Sequence, residues 1–317
     1  MSAPRRPLAI YTDVVDTDIA PGLELLERAG FETRVLHGAD EASVLREAQD
    51  AEVLLVGYLH ITRAIIEGLP KLRLIATQSV GVDMVDTAAA AERGISVATV
   101  PGAATEEVAV HALAMALSLI RGLPFLDRDV RAGGWDGTAE RLLRPSASTL
   151  GVVGMGRIGQ RLAALGDGIF GEVVGYDPVL ADGQWPTAVR RLEFDALLES
   201  SDVVSVHVPL TKQTERLIDA AALARMRPGS FLVNVARGGV VDHDALLASL
   251  DRGQLGGAAL DVLPVEPPTD QRICGHPRIL VTPHAAYLSP ESAGDYVRIQ
   301  AENAVEWLLT REVTAAS

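Results

Sequence analysis

The 317-residue sequence has almost no cysteine, few aromatic residues and no long apolar run. Its one cysteine, Cys274, excludes a disulfide framework and is typical of a reducing compartment. Aromatic residues make up 4%, so the core must consist mainly of aliphatic side chains. The most apolar segment, residues 108–120, is shorter than the roughly 18 residues of a membrane span. The run 8–10 is too short for the core of a signal peptide. We therefore expect a cytoplasmic protein without membrane association.

Basic residues are also scarce relative to acidic ones. The 28 Lys and Arg face 42 Asp and Glu, which gives a formal net charge of −14. Proteins that bind nucleic acids or membrane surfaces need faces rich in Lys and Arg, so neither partner is predicted. No metal site is predicted either. An acidic ligand would require positive charge concentrated locally at its binding site.

The order of apolar segments predicts an α/β protein with two domains. The length exceeds the roughly 250–300 residues at which a single core stops growing. Short β-branched runs alternate with amphipathic segments, which indicates parallel sheets covered by helices. Helices are predicted at 21–29, 160–165 and 242–250. Strands are predicted at 8–11, 53–56 and 74–77, then at 149–153, 172–176, 203–208, 231–235, 257–260 and 279–282. The later group supplies the six strands that a doubly wound nucleotide-binding sheet needs.

One long helix is predicted between the two halves. Thr105 is its expected N-cap, and acidic residues in the first turn complement the helix dipole. The remainder, up to residue 120, is apolar on nearly every face, which indicates a helix buried by other parts of the protein on both sides. We interpret this segment as an interdomain helix, and we expect a partner subunit to cover the adjoining residues 123–135.

A glycine-rich turn follows the strand predicted at 149–153. Gly154, Gly156 and Gly159 match the G-x-G-x-x-G pattern at the start of a helix. The first glycine permits the tight turn, the second lets pyrophosphate approach the backbone, and the third allows close helix–strand packing. Asp177 ends the next strand, where an acid accepts hydrogen bonds from the adenosine ribose and repels a 2′-phosphate. No arginine is expected beside Asp177 to receive such a phosphate, so NAD is predicted rather than NADP. The alternative is that Asp177 only caps a turn before Pro178.

Three charged residues follow successive predicted strands of the second half. Arg237, Glu266 and His284 should therefore meet at the carboxyl edge of one sheet. Reduction of a 2-oxo acid needs a cation for the carboxylate and ketone, and Arg237 suits this task. It also needs an acid that titrates near neutral pH, for which His284 is suited. Glu266 would keep that histidine protonated and oriented. Each residue taken alone has an ordinary structural explanation, but the three together favour catalysis.

The sequence resembles the D-isomer-specific 2-hydroxyacid dehydrogenase family over nearly its whole length. The matching segments are 154–159 (GMGRIG), 207–211 (HVPLT), 231–239 (FLVNVARGG) and 282–284 (TPH). The resemblance implies that Arg237, Glu266 and His284 are catalytic. It implies cofactor contacts by the glycines of the turn and by a further set of residues: Thr105, Arg157, Ile158, Asp177, His207, Val208, Pro209, Val235, Ala236 and Asp261. The backbone of residues 78–83, with Ser79, Val80 and Gly81, would bind the substrate carboxylate.

The resemblance also implies a domain layout. A Rossmann NAD-binding domain, residues 101–285 with the interdomain helix at 105–121, would be inserted into a split flavodoxin-like substrate domain. That substrate domain would consist of residues 1–100 and 286–317. Family members are usually dimers, so a homodimer is expected.

Two departures from the phosphoglycerate-type members bear on the substrate. Those members place an arginine after the strand that ends near Val56, where this chain has Gly57, Tyr58, Leu59 and His60. Because the sequence stops at Ser317, the C-terminal regulatory domain that some of them carry is not expected here. Tyr287 gives a likeness to the C-terminal-binding-protein branch. Tyr58 and Tyr287, with Leu59 and His60, are candidates for a side-chain pocket that suits an apolar or aromatic 2-oxo acid. Tyr58 and His60 could equally be ordinary strand-end residues.

Three other functions remain open on the same fold. One is an NAD-sensing scaffold like the C-terminal-binding-protein branch, in which partner binding replaces catalysis. Another is a phosphoglycerate-type dehydrogenase. The third is oxidation of formate or phosphite, although formate-oxidising relatives replace the glutamate that corresponds to Glu266.

Overall fold

The computed structural model describes residues 6–14, 17–137 and 142–316, and within the last helix it describes side chains up to residue 311. The chain divides into two compact units. Unit 1 consists of Met1–Ala103 and Ser289–Ser317, and unit 2 consists of Ala104–Leu288.

Unit 1 is a parallel sheet covered by helices on both faces. Its described strands are β1 Leu8–Tyr11, β2 Glu32–Val35, β3 Val53–Val56, β4 Leu74–Thr77 and β5 Ser96–Ala98. Its described helices are α1 Ala20–Arg28, α2 Glu41–Glu47, α3 Arg63–Gly68, α4 Thr87–Glu92 and α12 Pro290–Ala316. The strand order is β2-β1-β3-β4-β5, with every pairing parallel. This order matches the flavodoxin-like arrangement, whose switch point lies between β1 and β3.

The central strands of unit 1 are apolar on both faces because helices cover both. All four residues of β1 and of β3 are buried. Tyr11 and Phe31 pack with Ala301 and Ala304 of α12 in the core on one face. On the other face Ile10 packs in the core that contains α2, α3 and α4. The carboxyl ends of β1, β3 and β4 are thereby held at one edge of the sheet.

Unit 2 is a larger parallel sheet preceded by two helices. Its described helices are α5 Thr105–Ile120, α6 Leu123–Arg131, α7 Arg157–Gly166, α8 Phe194–Ser200, α9 Ala220–Arg225, α10 His243–Asp251 and α11 Gln271–Cys274. Its described strands are β6 Thr149–Val153, β7 Glu172–Tyr176, β8 Arg190–Arg191, β9 Val203–Val206, β10 Ser230–Asn234, β11 Leu255–Leu260 and β12 Ile279–Val281. The order is β12-β11-β10-β9-β6-β7-β8. This is the Rossmann order extended by one strand, so the predicted α/β class is confirmed.

Three strands are absent from the sequence prediction. β2 alternates exposed and half-buried residues, β5 has three residues, and β8 consists of two arginines. All three lie at sheet edges, where burial on both faces is not needed. The apolar pattern that reveals the central strands is therefore weak in them.

The start of α5 differs from the prediction by one position. Ala104 occupies the N-cap with φ −134° and ψ 32°, and no side chain caps the helix. Thr105 is already helical, so its prediction as the N-cap is wrong. Glu106 and Glu107 in the first turn remain suited to the positive end of the helix dipole.

Neither a spanning helix nor a metal-binding cluster is found among the described residues. No single helix there is long and apolar enough to cross a membrane. Among those residues, only α5 and α6 taken together reach the length and apolar composition of a span, and they are bent by 59° at their junction. No group of three or more His, Cys, Asp or Glu side chains there is arranged to hold a metal ion.

Candidate active site

The three charged residues singled out in the sequence lie at the carboxyl edge of the unit 2 sheet. Arg237 follows β10, Glu266 follows β11 and His284 follows β12. These strands are neighbours in the sheet and run in parallel. Because parallel strands end at the same edge, the fold brings the three loops together.

Glu266 and His284 form a direct hydrogen bond. His284 Nδ1 lies 2.6 Å from Glu266 Oε2, and the Leu263 N–H donates to Glu266 Oε1 at 2.8 Å. An ionised carboxylate only accepts, so the proton in this contact belongs to Nδ1. His284 Nε2 is then the atom that gains or loses a proton.

Glu266 is held in its ionised form by its surroundings. Burial by itself would raise the pKa of the Glu266 carboxyl, but hydrogen bonds from His284 and the Leu263 N–H act against it. The charges of His284 and Arg237 act in the same direction, and the net result is a pKa below the ordinary value. The Arg237 charge is therefore one of the influences that keep Glu266 ionised.

A buried asparagine shapes the turn that carries Arg237. Asn234 Nδ2 donates to the Arg237 carbonyl at 2.9 Å, and its Oδ1 accepts from the Ala236 N–H at 3.0 Å. Arg237 Nη1 donates to the Ala236 carbonyl at 2.8 Å. Asn234 is fully buried and was not singled out from the sequence. Its place at the end of a buried apolar strand is the signal that could have identified it.

His284 adopts a backbone conformation that non-glycine residues rarely use. Its φ is +53°, in the left-handed region, which costs of order 1–3 kcal/mol. The N–H of His284 donates to the Asp261 carbonyl at 2.8 Å. The Asp261 carboxylate accepts from the N–H groups of Ala285 at 2.9 Å and Ala286 at 3.0 Å. Asp261, predicted as a cofactor contact, thus already binds the turn that presents His284.

Tyr287 lies on the same turn as His284. The two rings form an edge-to-face pair with centroids 6.1 Å apart and planes at 86°. Of the two predicted pocket tyrosines, Tyr287 is therefore beside His284, whereas Tyr58 belongs to unit 1.

The glycine-rich turn fits a bound dinucleotide. Gly154 has φ +97°, and a Cβ there would meet the His207 backbone at 2.8 Å. A Cβ on Gly159 would meet the Gly154 carbonyl at 2.0 Å, so close packing of α7 on β6 requires glycine. A Cβ on Gly156, by contrast, would meet no atom of the described residues within 4 Å apart from its chain neighbours. The turn thus leaves open space where a phosphate would approach the backbone.

Asp177 both caps its own turn and binds the glycine-rich turn. Its Oδ1 accepts from the N–H groups of Val179 at 2.8 Å and Leu180 at 2.9 Å, and its Oδ2 accepts from Met155 N–H at 2.8 Å. A carboxylate has about four acceptor positions, so about one remains for a ribose hydroxyl. Arg191 Nη2 lies 3.3 Å from the Asp177 carbonyl, so the inference from sequence that no arginine neighbours Asp177 is wrong. Strand β8, which the prediction lacked, brings Arg191 there.

The other predicted cofactor residues lie on unit 2 segments that follow adjacent strands or begin helices. Thr105 is the first residue of α5, and the first turn of α7 contains Arg157 and Ile158. Val208 and Pro209 come after β9, and Val235 and Ala236 come after β10. Of these, Val208 and Val235 are nearly buried.

His207 sits beside the glycine-rich turn and is held neutral. Its Nε2 forms a 2.8 Å hydrogen bond with the hydroxyl of the buried Ser205. Burial lowers the pKa of His207 to about 3. A histidine that stays unprotonated at working pH cannot serve as a general acid.

The pKa of His207 predicts acid sensitivity of the fold. Unfolded histidine titrates near 6.5, but folded His207 titrates at about 3, so the unfolded state binds more protons between these values. Stability must therefore fall as pH decreases through this window. Replacing His207 with Gln removes this contribution, worth at most about 2 kcal/mol at pH 5. Urea unfolding at pH 7 and pH 5 should show a smaller acid loss in the variant. Equal losses in both proteins would contradict the assignment.

In unit 1 a carboxylate pins the loop that follows β3. Asp13 accepts from the N–H groups of Gly57 at 3.0 Å and Leu59 at 3.1 Å, and also from the Tyr58 N–H. The Thr12 hydroxyl donates to it at 2.6 Å. Asp13 was not predicted as a site residue, although an acid directly after a buried strand is a recognisable signal. Through these bonds it fixes the position of the predicted pocket residue Tyr58.

The predicted carboxylate-binding loop follows β4 at the same edge of unit 1. Ser79 Oγ accepts from the Gly81 N–H at 3.1 Å, so one of the predicted donors has an internal partner. Val80 is 48% exposed and Tyr58 is 56% exposed. The edge therefore presents apolar surface next to backbone N–H groups.

Together the glycine-rich turn, the acid after β7 and the Arg–Glu–His set define a dinucleotide-binding α/β protein of the Rossmann class. The model for the NAD-binding domain of D-isomer-specific 2-hydroxyacid dehydrogenases matches residues 113–286, and the chain belongs to this family. The predicted family and the NAD cofactor are thereby confirmed.

Individual relatives agree with this assignment. The D-3-phosphoglycerate dehydrogenase of Archaeoglobus fulgidus is 34% identical over 286 residues, which cover 89% of this chain and 54% of that protein. The chain thus spans about half the length of the curated relatives it matches. A protein from Thermus thermophilus is 34% identical with a TM-score of 0.82, covering 93% of this chain and 95% of that one. D-lactate dehydrogenase from Aquifex aeolicus, solved with NAD and lactic acid, is 29% identical with a TM-score of 0.85, covering 97% and 96%.

Proposed function

We propose that this protein is an NAD-dependent oxidoreductase that interconverts a D-2-hydroxy acid and the corresponding 2-oxo acid. The observation that carries the proposal is the 2.6 Å hydrogen bond between His284 Nδ1 and Glu266 Oε2, at the sheet edge where the Arg237 loop also ends. Acid–base chemistry on a carboxylate-bearing substrate needs these three groups.

Each residue has a distinct role in ketone reduction. Arg237 binds the substrate carboxylate and polarises the ketone, because its guanidinium is always charged and matches a carboxylate fork. His284 Nε2 donates a proton to the developing alkoxide, and in the reverse direction it takes the hydroxyl proton. Glu266 orients the ring and stabilises the imidazolium. When bound, the nicotinamide supplies or accepts the hydride, and the turn at Gly154–Gly159 would hold its pyrophosphate.

Unit 1 is proposed as the substrate domain. Backbone N–H groups at Ser79, Val80 and Gly81 would bind the substrate carboxylate, as the family resemblance implies, with the Gly81 N–H exchanging its bond to Ser79 Oγ for one to the substrate. The loops at 12–19, 57–62 and 78–86 contain no Lys or Arg. Together with the exposed Tyr58 and Val80, this supports an uncharged, apolar or aromatic substrate side chain.

A second candidate substrate is 3-phosphoglycerate, because the curated relatives are D-3-phosphoglycerate dehydrogenases. The lack of a cation in those three loops of unit 1 argues against it, since a phosphate needs a positive partner. The two candidate substrates differ in whether they carry a phosphate, so assays with each compound distinguish them.

The test is a panel of about twenty 2-oxo acids assayed for NADH oxidation, with 3-phosphoglycerate, formate and phosphite assayed for NAD reduction. We expect turnover to be greatest with an apolar or aromatic 2-oxo acid. Turnover with 3-phosphoglycerate, formate or phosphite alone would replace the substrate proposal with that compound. Tight NADH binding without turnover of any compound would favour the NAD-sensing scaffold.

Cofactor preference gives a separate prediction. Asp177→Ala should lower the ratio of kcat/KM with NADH to kcat/KM with NADPH by roughly tenfold or more, because a carboxylate facing a 2′-phosphate is strongly unfavourable. Arg191 lies beside Asp177 and would then be able to bind the phosphate. The double variant Asp177→Ala, Arg191→Gln is the control and should lose the gain with NADPH. A wild-type enzyme that prefers NADPH would contradict the assignment of Asp177.

A homodimer is proposed from the apolar surface of unit 2. Leu123, Val130 and Trp135 on and after α6 are exposed, with Trp135 at 89%. A cavity of about 560 Å³ beside Phe125 adds apolar lining from Leu119 and other residues. Burying such a surface against a second copy would be favourable. Light scattering should give twice the chain mass of 33.5 kDa.

We also propose a cytoplasmic location, in keeping with the free Cys274, and no nucleic-acid or membrane partner.

A further inference from the structure

His111 on α5, near the start of unit 2, contacts the turn that carries His284, near the end of the same unit. His111 Nε2 lies 3.1 Å from Thr282 Oγ1 and 3.7 Å from Asp261 Oδ1. Thr282 precedes His284 by two residues, whereas His111 is 171 residues from Thr282 in the chain. The contact is therefore a tertiary one between distant segments of the chain.

The direction of these hydrogen bonds follows from the number of protons. Thr282 Oγ1 carries a single hydrogen and donates it to Asp261 Oδ1. In its contact with His111 the hydroxyl oxygen must therefore accept, so His111 Nε2 carries the proton. The chain of donors runs from His111 through Thr282 to the Asp261 carboxylate.

Asp261 is where this chain of hydrogen bonds meets the His284 turn. Asp261 is 2% exposed, and its carboxylate accepts from the Ala285 and Ala286 N–H groups as well as from the Thr282 hydroxyl. A buried carboxylate is costly unless its acceptor positions are filled, so each donor helps to fix its orientation. The turn it holds includes the left-handed residue His284, which persists only if its surroundings determine it.

We propose that His111 and Thr282 are positioning residues of the acid–base site. By fixing the Asp261 carboxylate they hold the turn that places the His284 ring against Glu266. The proposal deepens the proposed function and rests on it for its kinetic consequences. Neither side chain needs to touch the substrate, so their loss should affect the proton-transfer step rather than NADH binding.

The kinetic experiment uses pairs of variants that keep or remove one hydrogen bond. Thr282→Val and His111→Phe keep much of the side-chain shape but remove the donor or acceptor. Thr282→Ser and His111→Gln keep a hydroxyl and an Nε donor. We expect Thr282→Val to lose roughly tenfold in kcat for 2-oxo acid reduction, the loss typical of one hydrogen bond to a charged group. His111→Phe loses a hydrogen bond to the neutral Thr282 hydroxyl and should lose up to roughly tenfold. The Kd for NADH should be unchanged in both. The second pair should stay within about threefold of wild type.

The combined variant His111→Phe, Thr282→Val tests whether the two residues act in series. Since His111 acts through the Thr282 hydroxyl, the double variant should be no slower than Thr282→Val alone. Additive losses, unchanged kcat in Thr282→Val, or equal losses in Ser and Val variants would overturn the proposal.

A readout independent of turnover separates this inference from the proposed function. Long-range ¹H–¹⁵N spectra of histidine-labelled protein report which ring nitrogen is protonated. The wild type should show His111 protonated at Nε2 and His284 protonated at Nδ1, and Thr282→Val should change the His111 signal and broaden or shift that of His284. If wild type reduces no 2-oxo acid but these signals behave as stated, the proposed function fails and the positioning role stands. An unprotonated His111 Nε2 would overturn the positioning role whatever the activity.

Discussion

Replacing His284 with Gln should reduce kcat for 2-oxo acid reduction by roughly 10²–10⁴-fold, the range typical of a lost general acid or base. The glutamine amide can still hydrogen-bond to Glu266, but it has no proton to exchange with a developing alkoxide near neutral pH. The Kd for NADH should change little, because the glycine-rich turn and Asp177 lie at other loops of unit 2. Stopped-flow single turnovers and fluorescence titration of NADH measure the two quantities separately.

The matched control for His284 is His37→Gln, which removes an exposed histidine in unit 1. This variant should keep wild-type kcat and the same melting temperature. If His284→Gln turns over at more than about a tenth of the wild-type rate, another group must protonate the alkoxide. His207 cannot take that place, because burial lowers its pKa to about 3.

Replacing Arg237 with Gln should lower kcat/KM for the 2-oxo acid by about 30- to 5,000-fold. This range corresponds to the roughly 2–5 kcal/mol lost when one partner of a hydrogen-bonded charge pair is removed. Arg237→Lys should recover only part of the loss, because an ammonium keeps the charge but lacks the planar fork that matches a carboxylate. Initial rates over a range of substrate concentrations give kcat and KM for each variant. We expect Arg237→Lys to change mainly KM, and Arg237→Gln to change both kcat and KM.

Arg252→Gln is the matched control for Arg237, since Arg252 is an exposed arginine just after α10 in the same unit. It should leave kcat/KM unchanged. Arg237→Gln should also raise the pKa of Glu266, because the guanidinium charge contributes to lowering it. A normal kcat/KM in Arg237→Gln would mean that another cation binds the substrate carboxylate, and the proposed roles would have to be reassigned.

The central strands, and the meeting of the loops that carry Arg237, Glu266 and His284 at one sheet edge, could be predicted from sequence because both follow from local patterns. Strands such as β1, β3 and β6 are buried on both faces and appear as short apolar runs. Arg237 and His284 follow such runs directly. The parallel arrangement then requires their loops to meet, which needs no knowledge of side-chain packing.

Contacts between distant segments were the part that could not be predicted. Arg191 reaches Asp177 from a two-residue edge strand without an apolar pattern, and Asp13 reaches a loop 44 or more residues away. His111 meets Thr282 across 171 residues. Each contact depends on the register and orientation of packed elements, and neither is encoded in local spacing.

The amino-acid sequence alone determined the α/β class, the glycine-rich turn and the identity of the Arg–Glu–His set, because apolar periodicity and strand ends are local properties of the chain. Only the tertiary structure decided how these groups are held. In the folded chain, His284 Nδ1 hydrogen-bonds to Glu266, and backbone N–H groups donate to the Asp261 and Asp177 carboxylates. His111 hydrogen-bonds to Thr282, just before His284. The physical reason is that a buried polar group must find partners wherever packing supplies them, and packing joins residues that are far apart in the chain.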